Sequence, residues 1–289
     1  MSSVTYAGLL RGNAHFRRLW FGQVVSELGN WFNLIAELGL ARMLSGTSLS
    51  ASLIIASHLL PFCVIGPFAG AIADKFPRKT MMLVADAARA VIALGFLLVT
   101  SADRLWIAYV CAAGLSLFTA VFDAAKNAAM PRLASGPQLL PANALMHATR
   151  FLQMTIGAML GGIASEYLGY RYAFAINAVS FVASAYFVLR IPAIALNAEL
   201  ERRVATTVRS LLADMREAFA FIRTSDVVWA IVALNLFWAL GGGMMTVIMD
   251  RFGGIVFATP GERGDAGVSV LYASAGAGLL AGMLLARRA

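Results

Sequence analysis

The sequence predicts an all-α protein that threads a bilayer several times, and three observations predict it. Hydrophobic residues make up 60% of the 289-residue chain and charged residues only 13%, with a mean hydropathy of +0.76. Soluble domains carry about 25% charged residues, and a soluble chain this apolar would show water large greasy patches. The apolar residues gather into eight stretches, each of about 20 residues, the length at which a helix crosses a hydrocarbon core. Most of the basic residues collect between the stretches.

Taken in order, the stretches lie at about 19–41, 50–72, 80–100, 104–122, 147–168, 172–191, 227–249 and 266–286. In hydrocarbon every backbone N–H and C=O must find its partner inside the segment, so each stretch is expected to be a helix. They are too long and too evenly apolar for the alternating strands of an outer-membrane barrel. The first opens after Arg17-Arg18 and carries Glu27 and Glu37. The second holds Gly66-x-x-x-Gly70 and ends at Asp74-Lys75. The third opens after Pro77-Arg78-Lys79 and carries Asp86 and Arg89, and the fourth ends at Phe122-Asp123. The fifth starts beside Arg150, and the sixth runs from Arg171 to Arg190. The seventh holds Gly241-Gly242-Gly243, a hinge or a close helix contact, and the eighth stops before Arg287-Arg288.

Basic loops stay on the cytoplasmic side of a membrane. With the N-terminus inside, seventeen Lys and Arg fall in cytoplasmic loops and five outside, with Arg89 left within a helix. A multi-pass protein of the plasma (inner) membrane with a cytoplasmic N-terminus is expected. The net charge of +8 does not point to nucleic acid, because the basic residues form no continuous face and no binding motif accompanies them. Cys63 and Cys111 both lie in apolar stretches, which fits neither a disulfide framework nor a metal cluster. The chain is polar as far as Arg18, and no small-residue cleavage site follows the first stretch, so no cleaved leader is expected. No phosphate loop, metal constellation or nucleophile setting is visible, so neither an enzyme nor a cofactor is expected.

The longest polar interval, about 192–226, divides six stretches from two. Leu211, Leu212, Met215, Phe219 and Ile222 fall at helical spacing within it, which predicts an amphipathic helix on the cytoplasmic surface. The expected organisation is a six-helix bundle over 1–191, a linker over 192–226 and the start of a second bundle over 227–289. A faint repeat supports the division: Gly66-x-x-x-Gly70 lies 212 residues before Gly278-x-x-x-Gly282, and the same offset lays the first stretch on the seventh. Six helices, a linker and a restart are the plan of a two-fold transporter. The second half would then hold six helices, so the chain reads as cut after its eighth.

Between the second and third stretches stands Gly70-Ala-Ile-Ala-Asp74-Lys75-Phe-Pro77-Arg78-Lys79. It resembles the G-x-x-x-D-[RK]-x-G-[RK]-[RK] signature of the major facilitator superfamily, with Pro77 where the signature has glycine. Phe122-Asp123-Ala-Ala-Lys126-Asn127 and Phe16-Arg17-Arg18-Leu19-Trp20-x-Gly22-Gln23 resemble the drug and siderophore exporter branch of that superfamily, which includes the enterobactin exporter and macrolide efflux proteins. Asp86-x-x-Arg89 is a fourth match, open to structural pairing or to transport-linked titration. Gly157-Ala158-Met-Leu-Gly161-Gly162 is similar to the glycine-rich antiporter motif, with Ala158 in place of its proline.

The resemblance implies a secondary transporter, expected to export a small amphipathic molecule against inward proton movement. Gly70, Asp74, Lys75, Arg78, Lys79 and Asp123 would form its inner gate, with Asp123 either pairing with Arg78 or capping the fourth helix. An ionisable group inside a membrane is a functional candidate by default. Glu27 is therefore expected to carry the proton, with Asp86 and Arg89 as further candidates, while Glu37 is expected at the outer rim. Trp31, Asn33, His58, Gln153, Asn235 and Trp238 are the candidate cavity residues, since aromatic rings give adaptable contacts to amphipathic ligands. Partners are the bilayer, protons and the substrate. A non-transporting fragment, a membrane scaffold or sensor, and uptake in place of export stay open.

Overall fold

The computed structural model describes residues 5–73, 76–196, 216, 220, 222–258 and 263–286. Side chains are described for all of these except 48, 62–73, 235, 236, 238–240, 284 and 286. Among the described residues every regular element is helical. A short α1 (Tyr6–Gly12) leads into α2 (Ala14–Ser45), and α3 spans Ser48–Ala73. Then follow α4 (Arg78–Gly95), α5 (Leu105–Leu133), α6 (Leu139–Ile163), α7 (Tyr170–Leu189) and the single turn α8 (Ala193–Leu196). The last two are α9 (Asp226–Arg251) and α10 (Asp265–Ala286). A π-turn extends α6 over Ala164–Leu168 and another extends α9 over Phe252–Val256.

All eight expected spans are helices, and their ends have local causes. Asn13 caps α2 by accepting from the Phe16 amide at 3.0 Å, which lets the helix start ahead of residue 19. A side-chain acceptor there satisfies an N–H that has no intrahelical partner. Gly46, at φ +66°, ends α2 in the left-handed region that glycine enters freely. The fourth span was expected to stop at residue 122, yet α5 continues to Leu133. The Ala-rich run after Phe122 is a strong helix former. Asp123 is therefore inside a helix and does not cap one.

Among the described residues, four helical segments are long and apolar enough to cross a bilayer on composition alone: Arg78–Leu98, Ala102–Leu133, Tyr170–Leu189 and Asp265–Met283. In α2 the polar residues turn inward, since Gln23, Ser26, Asn33 and Glu37 are all buried. The surface of the helices is greasy: Val91, Trp106, Val110, Val179 and Val182 are all more than half exposed. An apolar exterior around a polar interior suits a lipid solvent, in which a charged side chain is expensive.

Helix α2 lies centrally against α7, α6 and α3; α5 packs on α3 and α4; α4 also packs on α7. Helix α10 packs on α6, and α9 touches α3. Small residues mark the closest crossings. A Cβ on Gly157 would sit 2.9 Å from Trp31 Cβ, and one on Gly161 3.0 Å from Phe32 Cα. Gly29 likewise leaves room for Ser180 of α7. Contacts this close let helices gain dispersion energy where lipid supplies no hydrophobic drive. By contrast, a Cβ on Gly241, Gly242 or Gly243 would meet no described atom within 4 Å, so that run makes no close contact here.

The 212-residue offset carries Ala14, the first residue of α2, onto Asp226, the first of α9. The amphipathic helix expected within 192–226 falls mostly outside the described residues; Arg216, Ala220 and 222–224 are helical.

Candidate functional site

A cavity of about 430 Å³ lies between α2, α3 and α5, with walls also from α6 and α9. Glu27, Asn30, Trp31, Leu34 and Glu37 of α2 line it. Their spacing of three and four residues puts them on one helix face. Trp31, Asn33 and His58, named from the sequence, are in the wall, together with Gly243 and Thr246 of α9. Glu27 also lines it, with no ion-pair partner among the described residues. Gln153 is not in the wall. Its amide donates to the Val24 carbonyl at 2.5 Å and so ties α6 to α2. The side chains of Asn235 and Trp238 lie outside the described residues.

Glu37 corrects the sequence reading. It was expected at the outer rim, and it is buried in the bundle with its carboxylate held at both oxygens. Asn33 donates to Oε1, and His58 Nε2 of α3 stands 2.7 Å from Oε2. The Ser116 hydroxyl of α5 donates to the His58 carbonyl, which fixes the turn of α3 that carries the imidazole. A buried carboxylate needs such partners, because an uncompensated charge in a low dielectric is unfavourable.

Toward the end of the bundle that carries the N-terminus, Lys126 bridges Asp123 at 2.5 Å and Gln23 at 2.9 Å. The expected Asp123–Arg78 pair is not formed. The continued helix puts Lys126 one turn from Asp123, where it takes the carboxylate first. Lys79 instead donates to the Leu189 and Ile191 carbonyls, at 2.9 and 2.7 Å. Arg18 reaches the Arg190 carbonyl at 2.6 Å. Cations suit a helix C-terminus, where carbonyls lack partners and the dipole is negative. Lys79, at the end of the signature, therefore pins α4 to the end of α7, and Arg18 pins α2 there. Gly70's surroundings, Asp74 and Lys75 lie outside the described residues.

At the opposite end one guanidinium joins three helices. Arg42, near the end of α2, binds Asp250 at the end of α9 and Asp265 at the start of α10, the latter at 2.7 Å. All three side chains are buried. Glu166, in the π-turn after α6, accepts from the Arg263 and Asp265 amides at 2.7 and 3.1 Å and so caps α10. Sequence reasoning missed this cluster: Arg42 counted only as a loop charge. The available signal was an aspartate at each side of the interval between the last two apolar stretches, Asp250 and Asp265.

Asp86 and Arg89 form the expected pair, but away from the cavity wall. The guanidinium lies 4.5 Å from the ring centres of both Phe122 and Phe181, a cation–π sandwich that joins α4 to α5 and α7.

Known proteins extend the same picture. The chain is 31% identical over 185 residues to the uncharacterized MFS-type transporter YfiS of Bacillus subtilis, a match covering 64% of this chain and 44% of YfiS. It is 24% identical over 220 residues to the lysophospholipid transporter LplT of Serratia proteamaculans, covering 76% of this chain and 53% of LplT. The chain thus spans about half the length of the curated relatives it matches. A crystal structure of tetrameric PepTSo2 superposes with a TM-score of 0.53 at 13% identity, over 85% of this chain and 55% of that one, which shows the fold. Residues 19–289 match the model of the Major Facilitator Superfamily. With its helices, its central cavity and nearly its whole length matched, the chain belongs to that superfamily of membrane transporters and is not an enzyme.

Proposed function

We propose that this chain forms the cavity-bearing part of a secondary transporter that moves a small amphipathic molecule by alternating access. Residues 1–191 and 227–289 are the two bodies that rock, joined by 192–226. The observation that carries this reading is the central cavity, walled by helices of both bodies, with the Arg42–Asp250–Asp265 cluster joining those bodies beyond it. Arg42 lies five residues beyond Glu37, about 7.5 Å along the helix, so the cluster sits just past the cavity as its outer gate. Lys126, Asp123 and the signature residues Gly70 to Lys79 serve the inner gate.

The cavity mixes Trp31, Leu34 and Ile55 with carboxylates and Arg150, a lining suited to a molecule with an apolar body and a charged head. Relatives named for lysophospholipid transport favour a lipid-like amphiphile, and the sequence motifs favour the drug and siderophore exporter branch. The basic-residue bias puts the N-terminus in the cytoplasm of the inner membrane, and export is driven by inward proton flow. Glu27 is the carrier that the sequence suggests.

The test is flux of a fluorescent lysophospholipid in proteoliposomes carrying the native-length protein, with and without a pH gradient. Gradient-dependent flux is expected in the wild type. Gly243→Trp should abolish it, because Gly243 lines the cavity and an indole there would fill it. Flux equal to protein-free vesicles refutes the reading.

A further inference from the structure

Resting on the transport reading above, we infer that the Glu37–His58 pair is the cavity's exchange site, binding either a proton or the cationic head of an amphiphile. Glu37 is buried and the His58 imidazole reaches it, at 2.7 Å, while the imidazole itself is partly open to the cavity. This geometry differs from that of Glu27, which stands in the wall without an ion-pair partner. It also differs from the other acids. Asp250 and Asp265 are neutralised by Arg42, Asp123 by Lys126 and Asp86 by Arg89, all cations that keep their charge at neutral pH. Glu37 alone among these pairs depends on a partner that loses its charge in the physiological range.

The proton balance follows from that difference. Carboxylate with imidazolium, and carboxyl with imidazole, each hold one proton between the two side chains and are neutral overall. Loss of that proton leaves a carboxylate beside a neutral imidazole, a net negative charge in a buried place. Such a state is unfavourable unless another cation arrives. A cationic head entering through the cavity supplies it, and the proton leaves to water. In the reverse step the proton returns and the head departs. One site with room for one positive charge links the two flows without direct contact between distant groups.

Among the described residues no other cation is paired with Glu37. From α2, Asn33 donates to Glu37 and Glu27 lies further along the same face. From α5 the nearby groups are Cys111, Ser116 and the Asp123–Lys126 pair. Helix α6 brings Arg150 to the end near Asp123, and α9 brings Thr246. Asp250 of α9 and Asp265 of α10 are occupied by Arg42, and Tyr272 of α10 packs on Trp31.

The test measures proton release, with a pH-sensitive dye in weakly buffered detergent solution, when tetraphenylphosphonium is added to the native-length protein. The wild type should release about one proton per bound cation near pH 7, and binding should tighten as pH rises. Glu37→Gln should abolish the release. His58→Gln should move the pH of half-maximal release by at least about one unit, since the imidazole no longer shares the proton. Helical content by circular dichroism certifies the fold of each variant. Should Glu37→Gln not fold, the midpoint in His58→Gln decides. Undiminished release in folded Glu37→Gln, an unmoved midpoint in His58→Gln, or no release in the wild type each overturns the assignment. Lysophospholipid flux without such release leaves the transport reading standing and removes the exchange site. Release without flux removes the transport reading alone.

Discussion

Arg42 Nη2 lies 2.7 Å from Asp265 Oδ1, and the same guanidinium binds Asp250. One cation near the end of α2 therefore fastens α9 and α10, across 208 and 223 residues of sequence. Breaking a buried pair by removing one partner costs about 3–5 kcal/mol, because it strands the other charge. Arg42→Gln strands two carboxylates and is expected to open the far end of the cavity. Thr246→Cys in the cavity wall, with Cys63 and Cys111 replaced by alanine, reports the change. An impermeant maleimide added from the far side should label it several-fold faster in the Arg42→Gln background. Equal labelling rates would remove the gate. Asp250→Asn and Asp265→Asn should each act more weakly, since one carboxylate still holds the arginine.

Glu166 makes a separate contribution at the same end. Its two oxygens accept from the amide of Asp265, the first residue of α10, and from that of Arg263 just before it, and losing a cap costs about 0.5–2 kcal/mol. Glu166→Ala should speed amide hydrogen exchange at Asp265 and its neighbours while leaving exchange in α4 as it was.

The glycines of α6 predict a graded series. Gly157→Ala and Gly161→Ala each press a methyl into α2, and Gly161 meets backbone atoms at 3.0 and 3.1 Å that cannot rotate away. Overpacking of this kind costs about 1–3 kcal/mol, and Gly161→Ala should give the larger fall in thermal midpoint. Gly241→Ala should raise it, because no described atom stands in the way and alanine in a helix interior is better than glycine by about 1 kcal/mol.

Asp86 and Arg89 predict non-additivity. Asp86→Asn leaves a guanidinium buried between Phe122 and Phe181 with one partner fewer, and should destabilise strongly. Asp86→Leu with Arg89→Met removes both charges and should recover most of the loss, as apolar replacements of buried pairs do. If the double variant also keeps the wild-type pH profile of flux, the pair is structural. A shifted profile in the double variant would make it a titrating group.

The Major Facilitator fold was legible in the sequence to the extent that it rests on local properties. Runs of apolar residues gave the place of all eight long helices, and Gly157 and Gly161 were readable as close-packing positions because glycine between apolar residues in a helix has little other use. The spans were set too short where polarity was mistaken for a loop. Residues 123–133 carry Asp123 and Lys126 yet remain helical, because those charges satisfy each other within one turn.

The candidate site was legible in its α2 face, where Glu27 and Trp31 share one helical stripe with Asn30 and Glu37, and in His58 as a wall residue of α3. The depth of Glu37 was not, nor its pairing with His58 on another helix. Arg42, Asp250 and Asp265 read as three unrelated residues near helix ends, and folding makes them one cluster. Hydropathy and propensity belong to each residue and its near neighbours, so the sequence by itself determined which segments are helices and that they belong in lipid. Which charge meets which depends on the rotation and axial register of one helix against another. Those are set by the packing of whole faces, and only the tertiary structure decided them.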